Sequence, residues 1–288
     1  MCRFQLPEIR TSLEGYEQIS SLYADYKESD VDEVEIDFSH CGWFDANMCA
    51  ALRVLLVRME AEGTKIKMVG LPSNSLLTSI LCKNRFLAAY GYPSKPDYNG
   101  TIIPHQQFEP TGAKEFHVYL NTYWKGKGIP PMSKALTRRF KESIHELFEN
   151  AASHSDTRHG IFATGQYFPK KGRLDFMLAD AGIGIRRKIK RELGKTMPSS
   201  NAIVWALAEG NTTRKGGVPG GLGLKLIREF ITQNDGRLQI VSDRGYWEFE
   251  EGEEFSGQME NSFPGTVINI EINTNDTSSY ILSSESNG

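Results

Sequence analysis

The chain has 288 residues, 39% of them hydrophobic, which is enough for two domains of ordinary size, each burying a core. Its 33 Lys and Arg against 36 Asp and Glu leave a net charge of −3, which argues against a surface built to cling everywhere to nucleic acid or anionic lipid. No stretch approaches the roughly 20 apolar residues of a membrane span, and the start, MCRFQLPEIR, has no signal-peptide run, so a cytoplasmic protein without membrane contact is expected.

Cys2, Cys41, Cys49 and Cys82 form no C-x-x-C pair and have no histidine at finger spacing, so they indicate neither a zinc site nor a disulfide framework. From Glu33 to about Tyr90 the pattern is strand, helix, strand, helix. EVEIDFS alternates Val34, Ile36 and Phe38 with acidic residues, and Met48, Leu52, Leu55 and Met59 then form a helical stripe that Gly63 ends. KIKMVG is a second strand, and Leu76, Leu77, Ile80 and Leu81 mark a short helix with Ser73 or Asn74 as its cap. Between about Pro93 and Gly112 the composition turns to Pro, Gly, Asn, Gln and His, a connector with one strand near Ile102 and Ile103.

A helix from about Ala113 to Trp124 and a break at Gly128–Pro131 lead into a long helix, where Leu136, Phe140, Ile144, Leu147, Phe148 and Ala151 follow the 3.6-residue period. HGIFATGQYF and RLDFMLAD are strands, the second ending at Asp180. A basic helix follows, then a region from about Gly194 to Val218 expected to be mobile apart from an apolar stretch near Ile203–Leu207. A helix from Gly221 to about Gln233 and strands near Leu238 and Val267 complete the pattern. The Ser- and Asn-rich end is expected to be disordered.

Three spaced elements carry chemistry. On the long helix Glu146, Asn150 and His154 are four apart and line one border of the apolar stripe, facing a cleft. The Asn150 amide oxygen can complete the shell of Mg²⁺, a hard cation that takes phosphate oxygens and water as its other ligands. Glu146 is placed to accept a proton from a water or hydroxyl attacking a γ-phosphate. Taken alone, this pair reads as ordinary polar residues on a helix border, and the downstream elements reverse that reading.

In DAGIGI, Asp180 at a strand end can accept a hydrogen bond from the exocyclic amine of adenine, while Gly182 and Gly184 allow φ > 0 and close approach of the backbone. In GGVPGGLGLKLIREF, glycines including Gly220, Gly221 and Gly223, with Leu222 and Leu224 beside them, surround a helix start whose free N–H groups can face a polyphosphate. Arg214 and Lys215 lie in the loop before it. The block Arg186, Arg187, Lys188, Lys190 and Arg191 reads as a solvated helix face. Together the elements describe a pocket for ATP.

These elements resemble the N, G1 and G2 boxes of the GHKL superfamily, ATPases and kinases with a Bergerat nucleotide-binding fold. HELFENAASH is similar to the form found in anti-sigma-factor serine kinases, DAGIGI to the adenine box and GGLGL to the phosphate-side glycines. The resemblance implies Glu146 as base, Asn150 on Mg²⁺ and Asp180 on adenine. It also implies a terminal strand, FPGTVINIEI, in which Gly265 and Thr266 close on the Asp180 end of the pocket. EVEIDFSHCGWFDANMCAALRVLL resembles a STAS domain, the module of anti-anti-sigma factors, except that Asp45 is followed by Ala46 and Asn47 instead of the Ser or Thr that accepts phosphate in that family. Ser39, before that turn, reads as a capping or loop serine.

The expected architecture is thus α/β. A STAS-like α/β domain (1–100) precedes an α/β-sandwich Bergerat-fold (HATPase) domain (104–273), with a disordered tail (274–288). The expected function is an ATP-binding, Mg²⁺-dependent ATPase or regulatory serine/threonine kinase that answers to its STAS-like module and to a regulatory protein partner. A nucleotide-gated interaction module with negligible turnover is the alternative, and self-association as a homodimer stays open. A sensor histidine kinase does not fit, because His40 sits at a strand end while His145 and His154 belong to the nucleotide helix.

Overall fold

Two sheets organise the chain, whose computed structural model describes residues 1–208, 211 and 222–285. The first is parallel, in the order β1-β2-β3, from β1 (Cys2–Gln5), β2 (Glu33–Asp37) and β3 (Lys65–Val69). Helix α1 (Leu13–Glu28) connects β1 to β2, α2 (Met48–Ala61) connects β2 to β3, and α3 (Leu76–Lys83) follows. The α3 cap is Ser75, whose hydroxyl accepts the Thr78 N–H at 3.0 Å, one or two residues later than the sequence pattern places it. Neither β1 nor α1 is signalled by the sequence pattern, β1 being four residues of mixed polarity.

The second sheet is antiparallel, in the order β4-β5-β6-β8-β7. Its strands are β4 (Ile102–Phe108), β5 (Ile161–Phe168), β6 (Arg173–Asp180), β7 (Arg237–Glu250) and β8 (Glu253–Asn273). Helices α4 (Ala113–Tyr123) and α5 (Lys134–His154) come between β4 and β5, and α6 (Ile185–Leu193), α7 (Ser199–Leu207) and α8 (Leu222–Asn234) come between β6 and β7. Helix α7 lies within the span expected to be mobile; the part of that span at 209–210 and 212–218 is outside the described residues. Strands β7 and β8 extend well beyond the expected strands near Leu238 and Val267 and join at Glu251–Gly252, both with positive φ (52° and 83°), as a two-residue hairpin turn of type I′ requires.

The pleat of the large sheet sorts its residues onto two covered faces. Ile161 and Ala163, Leu174, Phe176 and Leu178, and Ile270 and Ile272 face the core shared with α4, α5 and α8. Their alternates, Phe162, Met177, Ala179, Val241 and Val267, join the core of the N-terminal unit, where α2 packs across β5, β6 and β8 and α1 against β8. Helix α2 is accordingly buried on nearly every side, with Cys49, Ala50, Ala51, Val54, Leu56 and Val57 enclosed as well as the expected stripe.

Buried polar residues fix the register of this contact. Asn47 Nδ2 donates to Asn269 Oδ1 (2.9 Å), Asn84 Nδ2 to Thr164 Oγ1 (2.8 Å), and Arg173 lies between Asp45 (3.5 Å) and Asp175 (3.1 Å). The turn that resembles the STAS acceptor site is therefore inside the molecule. Asp45 accepts from the Thr11 amide (2.8 Å) and Trp43 Nε1 (2.8 Å), and Asn47 is fully buried. Residues 274–282, expected to be disordered, instead run beside α5 and α8. Tyr280 is buried against Phe230, its N–H bonds Pro131 O (2.9 Å), and its carbonyl accepts from Ser133 N (2.8 Å). Among the described residues, no helix is long and apolar enough to cross a membrane.

Asn47→Ala leaves Asn269, itself fully buried, without the donor at 2.9 Å, so urea unfolding should show a loss of about 1–3 kcal/mol. Ser39→Ala, at an exposed position, should change stability by less than about 0.5 kcal/mol in the same assay.

Candidate functional site

The phase of β6 places Leu174, Phe176 and Leu178 on the helix-covered face, and the next residue in that phase is Asp180. Its side chain is thereby directed into a partly open cavity of about 180 Å³ bordered by α5, α6, α7, α8 and the ends of β6 and β8. The walls are mainly apolar, from Leu147, Leu178, Ile185, Ile189, Leu224 and Ile268, with Trp205 at one side. Six residues with polar side chains line the cavity among the described residues, namely Asn150, Ser155, Asp180, Lys188, Asn211 and Thr266.

Asp180 is 5% exposed. Burial pushes its carboxyl up to about 7, against the Gly182 amide, the Ser155 hydroxyl and, least, the Arg58 guanidinium, which all favour the ionised form. The Gly182 N–H donates to Asp180 Oδ1 at 2.8 Å, and the Ile183 N–H donates to Ser155 O at 2.8 Å, so the turn after β6 is held against the end of α5. Gly182 is required for space and not for a positive φ: a Cβ there would lie 2.1 Å from Ser155 O and 2.4 Å from Ser155 Cβ. Gly184 does have positive φ (80°) as it opens α6, whose first amide, on Ile185, is received by Ser242 Oγ at 2.9 Å.

Thr266 is the β8 partner of Asp180 in the sheet register. A Cβ on the preceding Gly265 would come within 2.0 Å of the Asp180 carbonyl oxygen, so the β8 backbone closes directly over the end of β6. The structure thus brings Asn150, Asp180, Gly184, Leu224 and Thr266 to one cavity. Gly182 stands in the turn behind it, and Glu146 is half-buried one turn before Asn150 without lining it. Gly220 and Gly221, with Arg214 and Lys215, lie outside the described residues. Leu222 and Gly223 begin α8, and nothing beyond their backbone is described; the side chain of His154 is likewise outside the description.

Lys188 is the site residue that the sequence pattern hides. Within a basic block read as solvated, it lies on the inward face of α6 between Ile185 and Ile189, with its side chain 12% exposed and its ammonium 3.7 Å from Asp156 and 3.4 Å from Glu192. Arg186 of the same block bonds the buried Asp243. The available signal was the three-residue spacing from Ile185. Among the described residues, no cluster of three or more His, Cys, Asp or Glu is placed to hold a metal ion. A divalent ion at Asn150 would therefore need ligand oxygens and water to fill its shell.

Apolar walls with one buried carboxyl at their base suit a flat heterocycle that presents an N–H donor. A ring with a carbonyl at that point would set oxygen against oxygen. No protein-family model matches the chain, and no curated protein is significantly similar to it.

The raised carboxyl has a measurable sign. The folded protein keeps the Asp180 proton up to about pH 7, whereas the unfolded chain releases it near 4, so ionisation opposes folding. The cost is absent below about pH 4, grows through that interval and is complete above 7, on the order of 4 kcal/mol for a fully realised shift. Ligand-free Asp180→Asn should therefore melt above the wild-type protein at pH 8, with the gap closing as pH falls towards 4 in calorimetric scans.

Proposed function

We propose that the chain binds Mg·ATP in the cavity at Asp180 and acts as an ATPase or protein kinase of the GHKL type, with its N-terminal unit as a STAS-like regulatory module. The observation that carries this reading is a buried carboxyl at the base of an apolar, purine-sized cavity, in register with Thr266 and one wall away from Asn150. The order of the motifs along the chain supports the finer fold assignment, a Bergerat-type sheet behind a STAS-like unit.

In this reading Asp180 accepts the adenine amine, and Thr266 stands beside it across the strand pair. Leu147, Ile189 and Ile268 exclude water from the ring faces. The N-terminal amides of α8 from Leu222 onward, with Gly220 and Gly221 before them, would face the phosphates, where the helix dipole favours negative charge. Mg²⁺, held by the amide oxygen of Asn150 and by phosphate oxygens, would supply charge neutralisation at the γ-phosphate. Lys188 adds a positive charge at the cavity wall. Glu146, one turn earlier on α5, accepts the proton of the attacking water or hydroxyl. The N-terminal unit is proposed to regulate by its contact with the sheet, since the Asp45–Asn47 turn offers no exposed hydroxyl for phosphorylation.

Calorimetry with Mg·ATP at pH 8 should give saturable binding with GTP much weaker. Asp180→Asn should weaken ATP by roughly 10- to 100-fold, the value of a hydrogen bond to a charged group. Undiminished affinity in that variant defeats the adenine assignment. Glu146→Gln should lower phosphate release, or transfer to a partner protein, by roughly 10²- to 10⁴-fold while leaving ATP affinity nearly unchanged.

A further inference from the structure

The turn that carries Asp180 into α6 is supported differently on its two sides. Towards α5 it is in contact, with no room for a Cβ on Gly182. Towards the N-terminal unit it borders a second cavity, of about 280 Å³, lined by Tyr23, Lys27, Arg58, Ile183, Phe263 and Gly265. Ala181 packs into the core of the N-terminal unit, while Gly182 and Ile183 face this cavity. One side chain crosses the gap, that of Arg58 from the last turn of α2: its Nη2 donates to Ala181 O at 2.8 Å and to Gly182 O at 2.7 Å.

Those two carbonyls belong to particular peptide units. The Ala181 carbonyl shares its plane with the Gly182 N–H, which holds Asp180 Oδ1; the Gly182 carbonyl shares its plane with the Ile183 N–H, which holds Ser155 O. A trans peptide is rigid and directs its C=O and N–H to opposite sides, so fixing the oxygen fixes the amide. Bonds from a guanidinium are charge-assisted and roughly twice as strong as neutral ones, and its planar fork loses little freedom in making them. Arg58 therefore grips, from behind, both peptide planes that orient the Asp180 carboxyl and seat the turn on α5.

We infer that Arg58 is a positioning residue for purine recognition, so that the N-terminal unit is a constituent of the nucleotide pocket and not only a neighbour of it. This rests on the nucleotide reading of the cavity. Coupling through the turn is reciprocal: whatever displaces the end of α2 lowers affinity for the nucleotide, and nucleotide bound at Asp180 tightens α2 on the sheet by the same factor.

The test uses the full chain with Arg58→Met and Arg58→Lys and reads two independent quantities. In the ligand-free protein, amide exchange at Gly182 and Ile183 should accelerate at least tenfold in Arg58→Met, while amides in the middle of β6 keep wild-type protection. This arm stands whether or not ATP is the ligand. Calorimetry should then show ATP affinity reduced tenfold or more and the preference for ATP over GTP diminished, with Arg58→Lys, which keeps a donor and the charge, recovering part of both. Should Arg58→Met fail to fold, Arg58→Lys carries the test, with a threefold or larger change expected in each readout. Unchanged exchange at Gly182 and Ile183 overturns the inference. So does an equal loss of ATP and GTP affinity at constant preference, the mark of a merely structural role. Wild-type protein that ignores ATP but shows accelerated exchange in the variant defeats the nucleotide reading and leaves the grip of Arg58 on the turn established.

Discussion

A five-stranded sheet that is apolar on both faces must be covered twice, and that requirement shapes everything else in this chain. One face is closed by α4, α5 and α8, and the other by the N-terminal unit through α1 and α2. The hydrophobic driving force for the second contact is spread over Phe162, Met177, Ala179, Val241 and Val267, none of which could be left in water without cost. Buried polar pairs such as Asn47–Asn269 and Asn84–Thr164 add little net attraction, but each penalises a shifted docking by leaving a group unpaired. The N-terminal unit is thus held at one register against the sheet.

The same pleat that divides the faces sets up the site. Even-numbered residues of β6 belong to the helix side, so the strand delivers Leu178 and then Asp180 into one cavity, and β8 delivers Thr266 and Ile268 opposite them. A carboxyl buried there costs folding energy, a cost that a ligand donating a hydrogen bond would offset. The turn that follows is thin, so its geometry depends on what lies behind it. The proposed coupling between the two halves of the chain is in this sense a by-product of covering the second face of the sheet.

Legibility in the sequence varied with how local each signal was. RLDFMLAD carries the unbroken apolar run Phe176–Ala179 before its closing acid, and β6 occupies those eight residues, because a strand buried on both faces needs no alternation. The long helix is equally plain from its period. The sequence shows strands near Leu238 and Val267 but not their joining as a hairpin, since the glutamates of EFEEGEEF mask an extended pair whose turn is set by Glu251 and Gly252. Asn150, Asp180 and Thr266 could be picked out because their neighbours in sequence form compact motifs. Arg58 and Lys188 could not, as each looks like one charge among several on a helix, and only contacts more than a hundred residues away in Arg58, or the direction of a helix face in Lys188, distinguish them. The roles assigned to Gly182 divided in the same way: a small residue was legible there, but steric exclusion by Ser155, a tertiary fact, is the reason.

The cysteines acquire a meaning from the shared core. Cys41, Cys49 and Cys82 are all shielded, and Cys49 lies on the helix sandwiched between the two sheets; burial also pushes the Cys41 thiol up to about 11, where little thiolate exists at neutral pH. Cys2, half-exposed on β1, is the least buried of the four. Alkylation or oxidation of Cys49 requires α2 to leave the sheet, so its chemistry would record how often that covered face is laid bare, an intrinsic clock for breathing of the joint between the two halves.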